Sequence, residues 1–213
     1  CSLQRRNQKI VEVAPSPTLP ADVKQRIVDA ALAMARSADY RSLGTFEFLV
    51  DADDPATFAF MEANPRLQVE HTVTEQVTGV DLVATQLALA RGATLADVGL
   101  ADAVPEPRGF AVQVRINTEQ MKADGSTLPK GGTLAAFEPP TGAGLRTDTH
   151  GYAGYAPPPA FDSLLAKLIA HTPSGDYAAA LARTRRGLAE FRIEGVPTNA
   201  AFLWALLGDE DVV

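Results

Sequence analysis

The sequence predicts an α+β fold, antiparallel strands with packing helices, arranged in two parts. Three observations predict it. Two β-type runs, residues 45–50 and 57–64, flank the turn-forming Asp51-Ala52-Asp53-Asp54-Pro55, so they read as a hairpin. Apolar residues recur at helical spacing over residues 21–40 and again over 176–191. A linker-like stretch rich in Ala, Asp and Pro, residues 92–108, then separates a first part, 1–107, from a second, 108–213, of short strand-like runs punctuated by Gly and Pro.

Taken in order, Cys1-Ser2-Leu3-Gln4-Arg5-Arg6-Asn7-Gln8-Lys9 is polar and basic and runs straight into Ile10-Val11-Glu12-Val13. Such an opening looks like the middle of a domain, so a piece of a longer polypeptide is expected. Its three cations suit either a solvated loop or strand end, or an anion site. Three prolines, Pro15, Pro17 and Pro20, then break regular structure. In the helix over 21–40, Val23, Ile27, Ala30, Ala31, Met34 and Ala38 share a packing face. Residues 72–78 and 81–90 read as two more helices, with Asp81 capping the second and Leu82, Val83, Gln86, Leu87 and Ala90 forming its apolar stripe. Beyond the linker, 110–117, 132–137, 142–148 and 163–171 read as strands. The helix over 176–191 turns Tyr177, Leu181, Leu188 and Phe191 inward and Arg183, Arg185 and Arg186 to solvent. Thr198 is expected to cap a last helix carrying Phe202, Leu203, Leu206 and Leu207.

The chemistry concentrates in Met61-Glu62-Ala63-Asn64-Pro65-Arg66-Leu67-Gln68-Val69-Glu70-His71. In an extended backbone, Glu62, Asn64, Arg66, Gln68 and Glu70 project to one side, a row of functional groups in place of a core face. A solvated edge strand is the plain alternative, and Pro65 suits an edge or a loop. The hairpin brings Glu47 beside Glu62. Adjacent carboxylates repel unless a cation neutralises them, and hard oxygen donors from Glu47, Glu62 and Asn64 suit Mg²⁺ or Mn²⁺ held together with nucleotide phosphates. His71, His150 and His171 lack companions at metal-ligand spacing and read as structural, hydrogen-bonded residues.

Composition narrows the classes. A net charge of −7 supplies no basic stripe for nucleic acid or an anionic membrane surface. No run reaches the roughly 18 apolar residues of a membrane span, and no signal peptide opens the chain. Cys1 has no partner for a disulfide, which fits a reducing cytoplasm.

Several ordered motifs together resemble the biotin carboxylase component of biotin-dependent carboxylases. They are Gln4-Arg5-Arg6-Asn7-Gln8-Lys9, Gly44-Thr45-Phe46-Glu47-Phe48, the run from Glu62 to Glu75, Gly79-Val80-Asp81-Leu82, Arg115-Ile116-Asn117, Gly151-Tyr152-Ala153-Gly154-Tyr155, Phe161-Asp162-Ser163 and Pro197-Thr198-Asn199. The resemblance covers roughly the C-terminal half of that component and implies the second half of an ATP-grasp domain followed by a biotin carboxylase C-terminal α+β domain. The activity it implies is carboxylation of biotin by bicarbonate and MgATP, through carboxyphosphate.

The roles it implies are specific. Glu47 and Glu62 resemble the metal-binding glutamates, which also meet ATP, and Asn64 assists the second metal. Lys9, Arg66, Gln68 and the backbone of Val69 resemble the bicarbonate cradle. Glu70 resembles the general base, and Arg115 the arginine on the ureido oxygen of biotin. Asn7 stands where the family commonly has a His at the nucleotide; Asn can donate a hydrogen bond but cannot carry charge. Arg146 and Asp162 fall where the family makes biotin-side or dimer contacts.

Implied partners are a biotin carboxyl carrier domain, a carboxyltransferase domain or subunit, and a second copy bound through the C-terminal domain. The family's N-terminal domain and ATP-covering lid have no match in these residues, so this chain alone is expected to be inactive. Two other readings compete. A carbamoyl-phosphate synthetase-like ATP-grasp ligase would share Glu47, Glu62 and Asn64 but not the full Arg66-to-His71 run with Arg115. A non-catalytic module that docks a biotin carrier would have no need of the metal and base residues.

Overall fold

The computed structural model describes residues 1–101, 105–122, 124–158, 160–174 and 176–212. Residues 102–104 of the expected linker lie outside them. In chain order the elements are β1 (Ser2–Arg5), β2 (Gln8–Ala14), α1 (Ala21–Ser37), β3 (Thr45–Val50), β4 (Phe58–Asn64), α2 (His71–Thr78), α3 (Leu82–Ala90) and β5 (Phe110–Asn117). Next come β6 (Glu119–Met121), β7 (Thr127–Pro129), β8 (Ala136–Glu138), β9 (Leu145–Thr149), β10 (Leu164–Thr172), α4 (Tyr177–Glu190), β11 (Arg192–Glu194) and α5 (Ala200–Leu206). They fall into two compact units. One comprises Cys1–Pro15, Thr72–Val77 and Pro107–Val213, the other Ser16–His71 and Thr78–Glu106.

The first unit is built on a five-stranded antiparallel sheet in the order β1-β2-β5-β10-β9. Alternation along β5 decides its two faces. Val112, Val114 and Ile116 join Val11, Val13, Ala166 and Leu168 in a core closed by Leu181, Leu188 and Phe191 from the α4 end and Leu203 and Leu207 from the α5 end. At about 1.5–3 kcal/mol per buried large apolar side chain, this core dominates the unit's stability. On the opposite face Ala111 and Ile169 pack against Val73 and Val77 of α2. That face also carries Glu12, Gln113, Arg115 and Lys167, a polar row inside the protein.

Local sequence explains most elements. Asp176 accepts a hydrogen bond from the Ala179 N–H at 3.3 Å and starts α4. Arg6 and Asn7 both have positive φ, +48° and +68°, which lets a two-residue turn join β1 to β2. The first segment is therefore a hairpin, where the sequence suggests a loop or strand end. The short strands β6, β7 and β11 have no counterpart among the expected elements, and β8 and β9 are shorter than or displaced from the runs expected for them. Three-residue strands carry too little periodicity to read.

Two expectations about helices need correction. The residue capping α5 is Asn199, not Thr198; the Thr198 hydroxyl accepts a 3.4 Å bond from Ala200, while the Asn199 side chain is committed to β5. The arginines of α4 are not a uniformly solvated face. Arg183 donates to the His171 carbonyl, the Arg185 guanidinium lies 4.3 Å over the Trp204 ring, and only Arg186, paired with Glu190, behaves as expected.

The second unit contains α1, the β3–β4 hairpin and α3. Helix α1 presents Val23 inward, with Ile27, Ala30, Ala31 and Met34 half-buried along the same stripe and Ala38 exposed past its end. Asp81 caps α3 through a 2.7 Å bond from Ala84 N–H, as its sequence predicts. The α3 stripe is nevertheless not buried, since Val83 and Leu87 are both exposed. The hairpin is stitched by an edge-to-face cluster of Phe48 with Phe58 and Phe60.

Candidate functional site

Within the second unit the register of β3 and β4 sets Glu47 directly opposite Glu62 and Thr45 opposite Asn64. A bulge after Glu47 leaves Met61 unpaired and realigns Phe48 with Phe60. The Asn64 amide donates to Glu62 Oε1 at 2.8 Å and to Glu47 Oε1 at 3.4 Å, and the Gln68 amide donates to Glu47 Oε1 at 3.0 Å. Four predicted side chains thus converge. Among the described residues no group of three or more His, Cys, Asp or Glu side chains could hold a metal by itself. Two carboxylates and an amide oxygen nevertheless fit a hard cation that takes its remaining ligands from phosphates and water. The N–H donors that now lie against the carboxylates mark where positive charge is wanted.

The extended row expected from Glu62 through Glu70 does not form. Strand β4 stops at Asn64, because Pro65 has no N–H to continue a ladder and the Arg66 N–H turns back to the Asn64 carbonyl at 2.8 Å. Arg66 is exposed and donates to the Leu67 carbonyl. Gln68 returns to the carboxylate pair through the turn, and its Oε1 is a buried acceptor with no hydrogen-bond partner among the described residues. Val69 and Glu70 lead into α2, so Glu70 stands immediately before the positive end of that helix. His71 Nδ1 lies 2.7 Å from the Gln68 carbonyl, a hydrogen bond that pins the turn.

In the first unit Asn7 sits exposed at the tip of the β1–β2 hairpin, and Lys9, half-buried, opposes Gln4. Asn is among the side chains that best tolerate positive φ, so the turn itself gives a reason for Asn7. Arg115 on β5 is held by Glu12 of β2, with Nε donating to Oε1 at 2.6 Å and Nη2 in contact with the same oxygen. Asn199 accepts from the Asn117 N–H at 2.8 Å and donates to the Arg115 carbonyl at 3.0 Å, fixing the strand from its end. On the neighbouring strands Arg146 bonds both Glu75 of α2 and Asp148 at 2.7 Å, and Lys167 lies 3.2 Å from Asp148.

Burial opposes the charge on Asp148, but the Arg146 hydrogen bond and the charges of Lys167 and Arg146 outweigh it and hold the carboxyl below the usual aspartate range. The hydrogen bond to Asp148, working against burial, raises Arg146. Asp162 caps the start of β10 through the Leu164 N–H and, with Asp148, His150, Tyr155, Phe161 and Lys167, lines a cavity of about 510 Å³.

Sequence reasoning missed Glu12, Gln113 and Asn199. Their signals are present in the chain. Glu12 interrupts an apolar strand, Gln113 lies in phase with Arg115, and Asn199 closes the Pro197-Thr198-Asn199 motif without an assigned role.

Comparison with known proteins matches this architecture. The family model described as "Carbamoyl-phosphate synthase L chain, ATP binding domain" matches residues 1–98, and that described as "Biotin carboxylase C-terminal domain" matches 113–213. The fold is therefore that of part of an ATP-grasp-type ATP-binding domain joined to a biotin carboxylase C-terminal domain. Pyruvate carboxylase of Aspergillus niger is 46% identical over 208 residues, which are 97% of this chain and 17% of that protein. A single-chain, multi-domain long-chain acyl-CoA carboxylase superimposes with a TM-score of 0.94 at 44% identity, covering 100% of this chain and 22% of that one. The biotin carboxylase domain dimer of Hydrogenobacter thermophilus 2-oxoglutarate carboxylase, solved with MgADP, ADP and bicarbonate, gives 0.90 at 35% identity, covering 99% and 45%. Along its whole length the chain is similar to the biotin carboxylase components of biotin-dependent carboxylases, and it spans less than half the length of each of these relatives.

Proposed function

We propose that the polypeptide containing this chain uses MgATP and bicarbonate to carboxylate N1 of biotin on a carrier domain. The observation that carries the reading is the Glu47–Glu62 pair bridged by the Asn64 and Gln68 amides. A magnesium ion there, or Mn²⁺ as the other hard ion these donors accept, would supply charge neutralisation at the transferred phosphoryl group. Glu47 and Glu62 hold it, and Asn64 assists. Bicarbonate and the γ-phosphate are both anionic, so cationic positioning is what their reaction requires. Arg66 suits a planar carbonate gripped at two points, Lys9 adds a point charge, and Gln68 and the Val69 N–H complete the cradle.

Glu70 is the base that takes the proton of bound bicarbonate as its oxygen displaces ADP from the γ-phosphate; the carboxyphosphate breaks down to CO₂ and phosphate, and the phosphate takes the proton of biotin N1 as that nitrogen attacks CO₂. Arg115 stabilises the negative oxygen that this deprotonation leaves on the ureido ring. Asn7 contributes at most one neutral hydrogen bond to ATP. The bicarbonate and MgADP in the Hydrogenobacter relative support the substrate assignment. The full Arg66-to-His71 run together with Arg115 favours this reading over a carbamoyl-phosphate synthetase-like ligase.

The functional boundary is proposed near residues 107 and 108, with nucleotide and bicarbonate chemistry before it and the biotin side after it. The matched carboxylases are larger multi-domain chains, which supports a biotin carrier and a carboxyltransferase as partners, and the dimeric relative supports self-association. No helix among the described residues is long and apolar enough to cross a membrane, and the lone exposed Cys1 is at home in a reducing cytoplasm.

The test is bicarbonate-dependent ATP hydrolysis and biotin carboxylation by the longest parent polypeptide, beside its Glu70→Gln variant and the 213-residue chain alone. Turnover by the parent that drops about 100-fold or more in the variant is expected, with the short chain flat. A parent that turns over ATP without carboxylating biotin would sink the reading.

A further inference from the structure

Glu12 is 2% exposed and lies between buried Val11 and Val13 on an inner strand. Burying a carboxylate there is costly, and an apolar residue of similar size would serve the fold at least as well. Its partners suggest what the cost secures. Gln113, directly across in the register, donates Nε2 to Glu12 Oε2 at 2.8 Å. Arg115, two residues along the same face of β5, takes the other oxygen through Nε and Nη2. Gln113 in turn accepts the hydroxyl proton of Thr72 on α2, so its amide cannot turn over without setting carbonyl against carboxylate. Thr72 and Gln113 are both fully buried. The donors run in one sense, from helix to amide to carboxylate, and the carboxylate grips one edge of the guanidinium.

The geometry points to Glu12 as a positioning residue that sets the guanidinium plane of Arg115, with Gln113 and Thr72 holding the Glu12 carboxylate in place. An arginine has several free torsions, and a charge developing on a ureido oxygen gains most from donors already aimed at it. Glu12 does not touch biotin; it acts through Arg115. The inference rests on the proposed role of Arg115 at biotin.

The experiment measures steady-state carboxylation of free biotin by the full-length polypeptide, with KM for biotin, ATP and bicarbonate determined separately. Variants are Glu12→Gln, Thr72→Val, Arg115→Lys and the Glu12→Gln/Arg115→Lys double. Glu12→Gln is expected to lower kcat/KM for biotin about tenfold or more while KM for ATP moves far less. Thr72→Val, isosteric and without a donor, should shift biotin kcat/KM in the same direction by a smaller factor, and it decides the matter if Glu12→Gln does not fold. The double should be no worse than Arg115→Lys, because the two losses act through one group.

Biotin kcat/KM unchanged in both Glu12→Gln and Thr72→Val, or equal losses for all three substrates, overturns the positioning role. Additive losses in the double do the same. A silent Arg115→Lys instead overturns the biotin assignment of Arg115, and this inference with it.

Discussion

The polar residues of the sheet face show how differently single side chains can be read. Glu47, Glu62 and Asn64 are legible because a hairpin with an obvious turn fixes which residues face each other. Glu12 is not, since a lone glutamate in a strand gives no hint of its partner until Gln113 is known to lie across from it. Asp148 yields a prediction at this scale. Its folded carboxyl titrates below the ordinary aspartate range, so its contribution to stability is complete above that range and is lost as pH falls through the lowered value. Asp148→Asn should therefore cost about 1 kcal/mol at neutral pH, given its partial exposure. The difference from the parent should shrink below about pH 4. Urea unfolding midpoints at pH 7 and pH 3 measure it; a gap that widens in acid contradicts the assignment.

Among elements, those with a strong period and a terminal signal are the readable ones. Strand β5 matches its expected residues because Val112, Val114 and Ile116 alternate with Gln113 and Arg115, and α4 begins where Asp176 says it should. The run from Glu62 to Glu70 reads as extended because its polar residues alternate, whereas Pro65 ends the strand and a tertiary contact, Gln68 to Glu47, shapes the turn beyond it. The α5 cap escapes the sequence for a related reason. Thr198 and Asn199 have similar local propensities, and only the neighbouring strand decides that Asn199 turns to β5. Asn199→Ala should leave the Asn117 N–H and the Arg115 carbonyl without these buried partners. A loss of about 2–4 kcal/mol in unfolding free energy is expected. Thr198→Ala should cost well under half as much, and equal losses for the two variants would show that the side-chain bonds to β5 do not matter.

For the molecule as a whole, the two units differ in how much they bury. The first has a contiguous apolar core on one face of a five-stranded sheet and a smaller one under α2. Among the described residues of the second, Val23 is the one fully buried apolar side chain, while Leu49, Phe60, Met61, Val83, Leu87 and Leu95 are exposed. Its only sheet among the described residues is the β3–β4 pair, and a two-stranded hairpin is marginal without something packed against it. Opening free energies follow buried apolar contact, so hydrogen exchange of the chain should be strongly uneven. Amides of β3 and β4 should exchange at rates close to those of an open chain, while β5 and β10 are the slowest. The matched carboxylases contain much more chain than this one, so the same peptides should gain protection in the longer parent, with β5 and β10 little changed. Equal protection of β3, β4, β5 and β10 in the short chain would mean that the carboxylate pair sits on a self-sufficient scaffold. The observed exposure of Leu49, Phe60 and Met61 then would not limit how well Glu47 and Glu62 are held for the metal.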